Sequence, residues 1–303
     1  MKTWDKLPYD DIPDLPRLND FVRWYAEQNP DAEACIDFEG RRLSYKDLAH
    51  EVDVQSAKLR QMGIKKGEVL ALLSPPAVEF WIFFLSTIEV GATFLGLNPR
   101  YTEKELCYIA EAADPKFVFI CREVGEAHYN EHITALKNTL SGSERVISYD
   151  LGSLAQVFEN IENGADGDAM MPSDNQLADH CLLVFTSGTT GRPKGALLSE
   201  EGLVFCSRVQ AHHQAMPMAR GLNPLPINHV GCVFAVGTAA LVAGATISFM
   251  PFEPVDMLRA IETERCNLMG GIPTMLQLMF SVKEAKYTDF STIERILWSG
   301  APM

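Results

Sequence analysis

Between residues 69 and 121, three short apolar runs, VLALLS, ATFLGLN and KFVFICR, are separated by two stretches of helical period, 77–90 and 102–113. No other feature narrows the fold as much. Strands that alternate with helices build right-handed crossover units, and repeated units make a doubly wound, mostly parallel sheet. Strands of such a sheet are buried on both faces, so they read as continuous apolar runs, as residues 69–73 and 117–120 do. A length of 303 residues is more than one compact unit usually holds and points to two lobes. The expected fold class is α/β: two doubly wound, mostly parallel sheet subdomains with flanking helices.

A fourth apolar run, 182–185, stops abruptly at Thr186, where the chain continues TSGTTGRPKG. Gly188, Gly191 and Gly195 open backbone conformations closed to other residues and let successive N–H groups converge on an anion. Thr186, Ser187, Thr189 and Thr190 add hydroxyl donors, and Arg192 and Lys194 supply positive charge. The pattern is not the Walker loop, in which the lysine runs into a helix; here Lys194 follows Pro193 and precedes Gly195. Two readings compete: a polyphosphate cradle on a strand-to-helix turn, and a plain Gly/Thr-rich surface turn. Hydroxyls, glycines and cations in this order favour the cradle.

The formal net charge of −14 provides no basic face for a nucleic acid or an anionic membrane, so neither is expected as a partner. Seven cysteines, scattered and without a C-x-x-C pair, argue against a zinc site or a disulfide framework and for small buried hydrophobes in a reducing compartment. The amino terminus, MKTWDKLPYDDIPDLP, is acidic and proline-broken, unlike a signal peptide, and a cytoplasmic location is expected. Residues 230–250 run for 21 positions without a charge, long enough to raise a transmembrane span. Their Gly, Ala, Thr and Ser content and the break at 244–246 favour a buried helix followed by a buried strand.

Elsewhere, residues 15–62 read as helix, hairpin, helix, with Ser44 capping the second helix. Helices are expected over 129–140 and 201–213 and from Pro254, and strands at RVISY, CNLMGG and ERILWSG. The acidic, Gly-rich 162–175 reads as a mobile connection without a function of its own.

TSGTTGRPKG is similar to the phosphate-loop signature of the acyl-adenylate-forming superfamily, which includes acyl-CoA synthetases, coumarate-CoA-type ligases, adenylation domains of peptide synthetases and firefly luciferase. GATFLGLNPRYTEKELCYIAEAADPKFVF resembles the acyl-CoA synthetase segment G-A-x-x-x-x-L-N-P-x-x-x-x-x-E-L-x-Y-I. PLPINH, 224–229, resembles the P-L-x-x-H turn at the edge of the acyl pocket, with Asn228 where Phe is commoner; IPTML, 272–276, is similar to V-P-T-x-L. The resemblance covers nearly the entire chain.

What the resemblance implies is a ligase with ATP, Mg2+ and coenzyme A: a carboxylate attacks the α-phosphate to give an acyl-adenylate and pyrophosphate, and a thiol then takes the acyl group. Residues 186–194 would hold the β- and γ-phosphates, with the Thr186 hydroxyl near magnesium; Gly300, Ala301 and Pro302 would face adenine; His229, Gly231 and Gly271 would border the acid. His229 is open to three roles: lining or gating the pocket, plain structural packing and, least favoured because geometry must come before pKa, general base. The implied division is 1–65 with 205–303 as the acyl-pocket and adenine-side subdomain, and 66–204 as the subdomain ending in the phosphate loop. The family's aromatic-Gly-x-Thr-Glu motif, ribose-binding Asp and C-terminal lysine domain have no counterpart up to Met303. On this reading the chain is an N-terminal fragment without a catalytic lysine, inactive alone and prone to form a homodimer through exposed apolar surface.

Between Gly221 and Phe252 there is no Asp, Glu, Lys or Arg. The ammonium of an amino acid would need an acidic partner in such a pocket, so a fatty or aromatic carboxylic acid is favoured. Three hypotheses stand: part of an acid-CoA ligase, an enzyme passing the adenylate to a carrier protein, and a non-catalytic nucleotide-binding module.

Overall fold

The computed structural model of the chain describes residues 12–159, 179–186, 192–214 and 219–298. Ser187, Gly188, Thr189, Thr190 and Gly191 of the loop, the 162–175 connection, and Gly300, Ala301 and Pro302 lie outside these described residues.

The chain begins with α1 (Leu18–Gln28), β1 (Glu33–Asp37), β2 (Arg42–Ser44) and α2 (Tyr45–Gln61). Ser44 caps α2 as its sequence suggests: its Oγ accepts from Asp47 N at 3.1 Å while Asp47 Oδ2 accepts from Ser44 N at 3.1 Å. The alternating segment follows, with β3 (Val69–Leu73), α3 (Val78–Glu89), β4 (Thr93–Leu97), α4 (Glu103–Ala113) and β5 (Phe117–Cys121). A small hairpin, β6 (Glu123–Val124) and β7 (Ala127–His128), leads to α5 (Asn130–Thr139), β8 (Val146–Tyr149) and α6 (Leu154–Glu159). Then come β9 (His180–Thr186), β10 (Lys194–Ser199), α7 (Glu200–Gln214) and β11 (Arg220–Asn223). A π-helical stretch, Gly231–Thr238, runs into α8 (Ala239–Val242), β12 (Thr246–Phe249), α9 (Pro254–Thr263), β13 (Leu268–Gly271), α10 (Pro273–Ser281) and β14 (Arg295–Trp298).

The strands form two six-stranded sheets, β10-β9-β4-β3-β5-β8 and β14-β13-β11-β12-β1-β2. All neighbours are parallel except β9 with β10 and β1 with β2. The first exception corrects the expected strand-to-helix turn. The TSGTTGRPKG segment connects two antiparallel strands, Thr186 opposite Lys194 and Leu182 opposite Leu198, and α7 begins only at Glu200. The physical reason lies in KGALLS, a stretch of strand length whose backbone pairs with the edge that β9 offers on the side away from β4.

Side chains on alternate strand positions sort into separate cores and stack the molecule in five layers. Leu70 and Leu72 of β3 face the central cluster, while Ala71 and Leu73 face α4 and α5. Leu222 and Met269 of the second sheet pack on Met257, Leu258 and Ile261 of α9 and on Leu276 and Met279 of α10. The middle layer is built around α3, in which every residue from Val78 to Ile88 is buried. A helix buried all round needs partners on all sides. Phe80 finds them in both sheets, with Phe249 of β12 at 5.7 Å and Phe94 of β4 at 5.8 Å between ring centroids. Each such ring contributes roughly 1.5–3 kcal/mol of burial. The charge-free 230–250 run is helix then strand, mostly buried, its strand β12 lying inside the second sheet, and among the described residues no helix is long and apolar enough to cross a membrane.

Candidate functional site

In open parallel sheets the crevice for a ligand lies beyond the carboxyl ends of the strands, where the strand order reverses. In the second sheet β11 is followed by β12 on one side and β13 on the other, so the reversal falls between Asn223 and Gly271, the last residues of β11 and β13. In the first sheet β4 and β9 run parallel, which brings Leu97 and Thr186 to the same edge.

The acid-side turn, 224–231, is fixed at four points. Asn223 is fully buried; its Nδ2 donates to Cys232 O at 2.9 Å and its Oδ1 accepts from Leu225 N at 3.4 Å, which folds the chain back after β11. Gly96 of β4 lets the turn lie directly on the first sheet: a Cβ there would stand 2.7 Å from the Ile227 carbonyl carbon and 2.9 Å from Asn228 Cα. Asn228 Nδ2 donates to the Tyr101 hydroxyl at 3.2 Å. Gly231 N donates to His229 Nδ1 at 2.9 Å, and a Cβ on Gly231 would press on that nitrogen at 2.9 Å and on Leu225 Cδ1 at 3.0 Å. Gly231 is thus required by the turn itself.

This geometry decides what His229 can do. Its ring is exposed and Nδ1 already accepts a backbone proton, so the neutral imidazole carries its own proton on Nε2. It is arranged as a donor to an anion rather than as a base through Nδ1. Gly271 is half-buried, and a Cβ there would meet Met275 only at 3.7 Å, so packing does not demand glycine at that point.

After the turn, Gly237 of the π-helix rests against Trp81 of α3, where a Cβ would be 2.9 Å from both Trp81 Cζ3 and Cys232 O. Thr238 is buried, sharing a 2.6 Å hydrogen bond with Ser207 of α7 and donating to Phe234 O at 3.2 Å. The lengthened turn leaves Phe234, Ala235 and Val236 half-buried.

On the phosphate side the structure places Thr186 at the end of β9 and Arg192, Lys194 and Gly195 on the returning leg. Thr186 Oγ1 donates to Lys194 O at 3.3 Å, which leaves the hydroxyl lone pairs available to accept or to ligate. Lys194 is exposed and forms no ion pair with the described residues. Arg192 lies over the Tyr108 ring, 5.6 Å from its centroid, and the Tyr108 hydroxyl donates to Pro193 O at 3.1 Å. Gly195 serves packing as well as access, since a Cβ would stand 2.9 Å from Leu183 Cδ1. A groove of about 630 Å3 follows this leg between α4 and β10, lined by Tyr108, Phe185, Lys194 and Leu197 among others, and no acid-side residue borders it. No group of three or more His, Cys, Asp or Glu side chains able to hold a metal occurs among the described residues.

Three residues of the site, Gly96, Tyr101 and Asn223, stand at no named motif position in the sequence, and a fourth, Tyr108, is the tyrosine of E-L-x-Y-I, to which the sequence assigns no role. Gly96 had a signal, because a glycine inside an apolar strand marks close backbone approach. Tyr101 and Asn223 look like ordinary loop residues, and only their partners distinguish them.

Residues 22–303 match the family described as AMP-binding enzyme. A feruloyl-CoA synthase from Amycolatopsis sp is 30% identical over 282 residues, 92% of this chain and 53% of that protein. A 4-coumarate-CoA ligase 1 from Narcissus pseudonarcissus is 29% identical over 310 residues, 98% of this chain and 55% of that protein. The chain spans about half the length of the curated relatives it matches. The inhibitor-bound N-terminal domain of FACL13 from Mycobacterium tuberculosis has a TM-score of 0.81 at 25% identity, over 95% of this chain and 71% of that one. By its fold and the match over 22–303, the chain belongs to the AMP-binding enzyme family.

Proposed function

We propose that the chain supplies the ATP- and acid-binding part of an acid-CoA ligase, which activates a fatty or aromatic carboxylic acid as its acyl-adenylate and hands it to coenzyme A. One observation carries the reading: the loop end of the β9–β10 hairpin, at Thr186 and Lys194, and the charge-free turn after β11 stand at the carboxyl ends of parallel strands, with the turn seated on β4 at Gly96. A polyanion beside the hairpin meets the Lys194 ammonium, Arg192 and the backbone and hydroxyl donors of residues 186–191. An apolar acid beside the turn meets His229, Gly231 and Gly271.

The chain's own contribution to the first step is positioning. The hairpin holds the β- and γ-phosphates so that pyrophosphate leaves with its charge neutralised, and the acid's carboxylate is oriented toward the α-phosphorus. Magnesium, when bound, supplies further neutralisation of phosphate charge; the residue here suited to reach it is Thr186, whose hydroxyl proton is already directed to Lys194 O. Adenine would lie against 300–302, and the division into 1–65 with 205–303 and 66–204 separates acid-side from phosphate-side residues. The absence of Asp, Glu, Lys and Arg from 221–252 supports an acid without an ammonium group. Exposed Ile296 and Trp298 on the edge strand β14 are a surface through which the chain on its own would self-associate.

The test is acid-dependent ATP–pyrophosphate exchange by the protein that carries this chain at its natural length, over fatty, aromatic and amino acids. Exchange with an unsubstituted acid, followed by thioester formation with coenzyme A, is expected. Exchange with amino acids alone overturns the substrate class, and no exchange with any acid overturns the reaction.

A further inference from the structure

One turn and the helix after it touch both halves of the candidate site. Asn98 Oδ1 accepts from Arg100 N at 2.9 Å, and Tyr101 N donates to Asn98 O at 3.0 Å. From α5, the Tyr129 hydroxyl donates to Pro99 O at 2.7 Å and His132 Nε2 lies 3.2 Å from Tyr101 O. Thr102 and Glu105 then close a reciprocal capping box, so α4 starts from a fixed point. A segment tied from this many sides transmits position rather than absorbing it.

From that frame a tyrosine reaches each half-site. The Tyr101 hydroxyl accepts from Asn228 Nδ2 at 3.2 Å, one residue before His229. Asn228 Oδ1 is buried without a hydrogen-bond partner among the described residues, so Tyr101 is the side-chain tether of that amide within them. Tyr108, seven residues on and inside α4, holds Pro193 O and lies under Arg192.

We infer that Tyr101 and Tyr108 are positioning residues for adenylate formation: with α4 as a rigid spacer, they set the separation between the acid-side turn and the phosphate hairpin. The inference rests on the ligase reading above. It follows from the sensitivity of in-line attack to placement, where an error of about 1 Å is enough to slow a step on the order of a hundredfold. Phenylalanine at either position keeps the ring and removes only the tether.

The experiment uses Tyr101→Phe, Tyr108→Phe and the double variant in the natural-length protein, with magnesium-ATP and acid varied separately in the exchange assay. Tyr108→Phe is expected to raise KM for ATP at least threefold with KM for the acid within twofold, and Tyr101→Phe to do the reverse. Each is expected to lower kcat, and the double variant to fall little further, because losing either end already frees the spacing. Asn228→Ala should reproduce Tyr101→Phe. KM values that move together, or a double variant whose kcat loss is the product of the single losses, overturn the inference. If the unaltered protein shows no exchange, the ligase reading has failed, and amide hydrogen exchange judges the brace. Tyr108→Phe should then speed exchange at 194–199 and Tyr101→Phe at 227–232, at least fivefold each, and unchanged rates overturn it.

Discussion

The two halves of the site are held in opposite ways. The turn after β11 is anchored through buried groups, Asn223 beneath it, the Gly96 backbone behind it and Ile227 in the central core, and by the His229–Gly231 hydrogen bond across it. The returning leg of the phosphate hairpin has Lys194, Gly195, Ala196 and Leu197 exposed, is paired along one side with β9, and receives one side-chain tether from α4. An apolar acid is recognised by shape and gains from a preset wall. A polyphosphate is recognised by donors and charge, which must face water until it arrives, so on the proposed reading that half would be drawn from the less strongly anchored part of the fold. The contrast shows why the most specific motif of the sequence and the most rigid part of the site are different segments.

Changes on the rigid side should reach the whole fold. Gly96→Val sets a side chain against the Ile227 and Asn228 backbone, which cannot retreat as a flexible side chain would. Denaturant titration should show a loss of about 3 kcal/mol or more. A loss below about 1 kcal/mol would mean that the turn is free to move and the contrast is false.

The root of the hairpin provides the next largest effect. Glu200, directly after β10, is buried and accepts from Leu18 N at 3.0 Å and from Arg17 at 3.4 Å. Burial pushes its carboxyl up from an ordinary 4.5 to about 7, partly offset by the Leu18 N–H and Arg17. Between those values the folded state keeps a proton that the unfolded chain has lost, so this group's contribution to stability falls as pH rises from 4.5 to about 7. Glu200→Gln removes that dependence: little difference from the unaltered chain at pH 4.5, and an advantage approaching about 3 kcal/mol at pH 8. Equal unfolding free energies of the two proteins across this range would refute it.

Asn223→Ala is expected to cost about 2 kcal/mol, since it strips the Cys232 carbonyl of its buried donor. It should also weaken acid binding while leaving magnesium-ATP affinity within twofold. Equal weakening of both would show that the halves are not held separately.

Much of this was legible in the sequence, for identifiable reasons. Strands such as 69–73 and 117–121 declare themselves because both faces are buried, and α2 and α4 because their caps are local. The hairpin was misread because KGALLS is short and its pairing partner is set by the free edge of β9, a property of the assembled sheet. β11, Arg220–Asn223, escaped notice since Gly and Asn have little strand preference; its place between β12 and β13 makes it a strand. The phosphate-side residues could be named because a polyanion demands a characteristic composition. Tyr101 acts through a hydrogen bond to a segment more than a hundred residues away, which nothing local announces; Tyr108 stands at the motif tyrosine of E-L-x-Y-I, but its contacts with 192–193 form only in the assembled fold, and the two bonds of Asn223 depend on the turn that follows it.

The central claim is that the hairpin is a polyphosphate site, and calorimetric titration of magnesium-ATP into the unaltered chain and Lys194→Ala tests it most directly. Lys194 is exposed and forms no ion pair with the described residues, so its removal should leave the unfolding midpoint unchanged. The account predicts binding by the unaltered chain and an affinity lowered about tenfold in the variant. Identical affinities would contradict it and return TSGTTGRPKG to a surface turn.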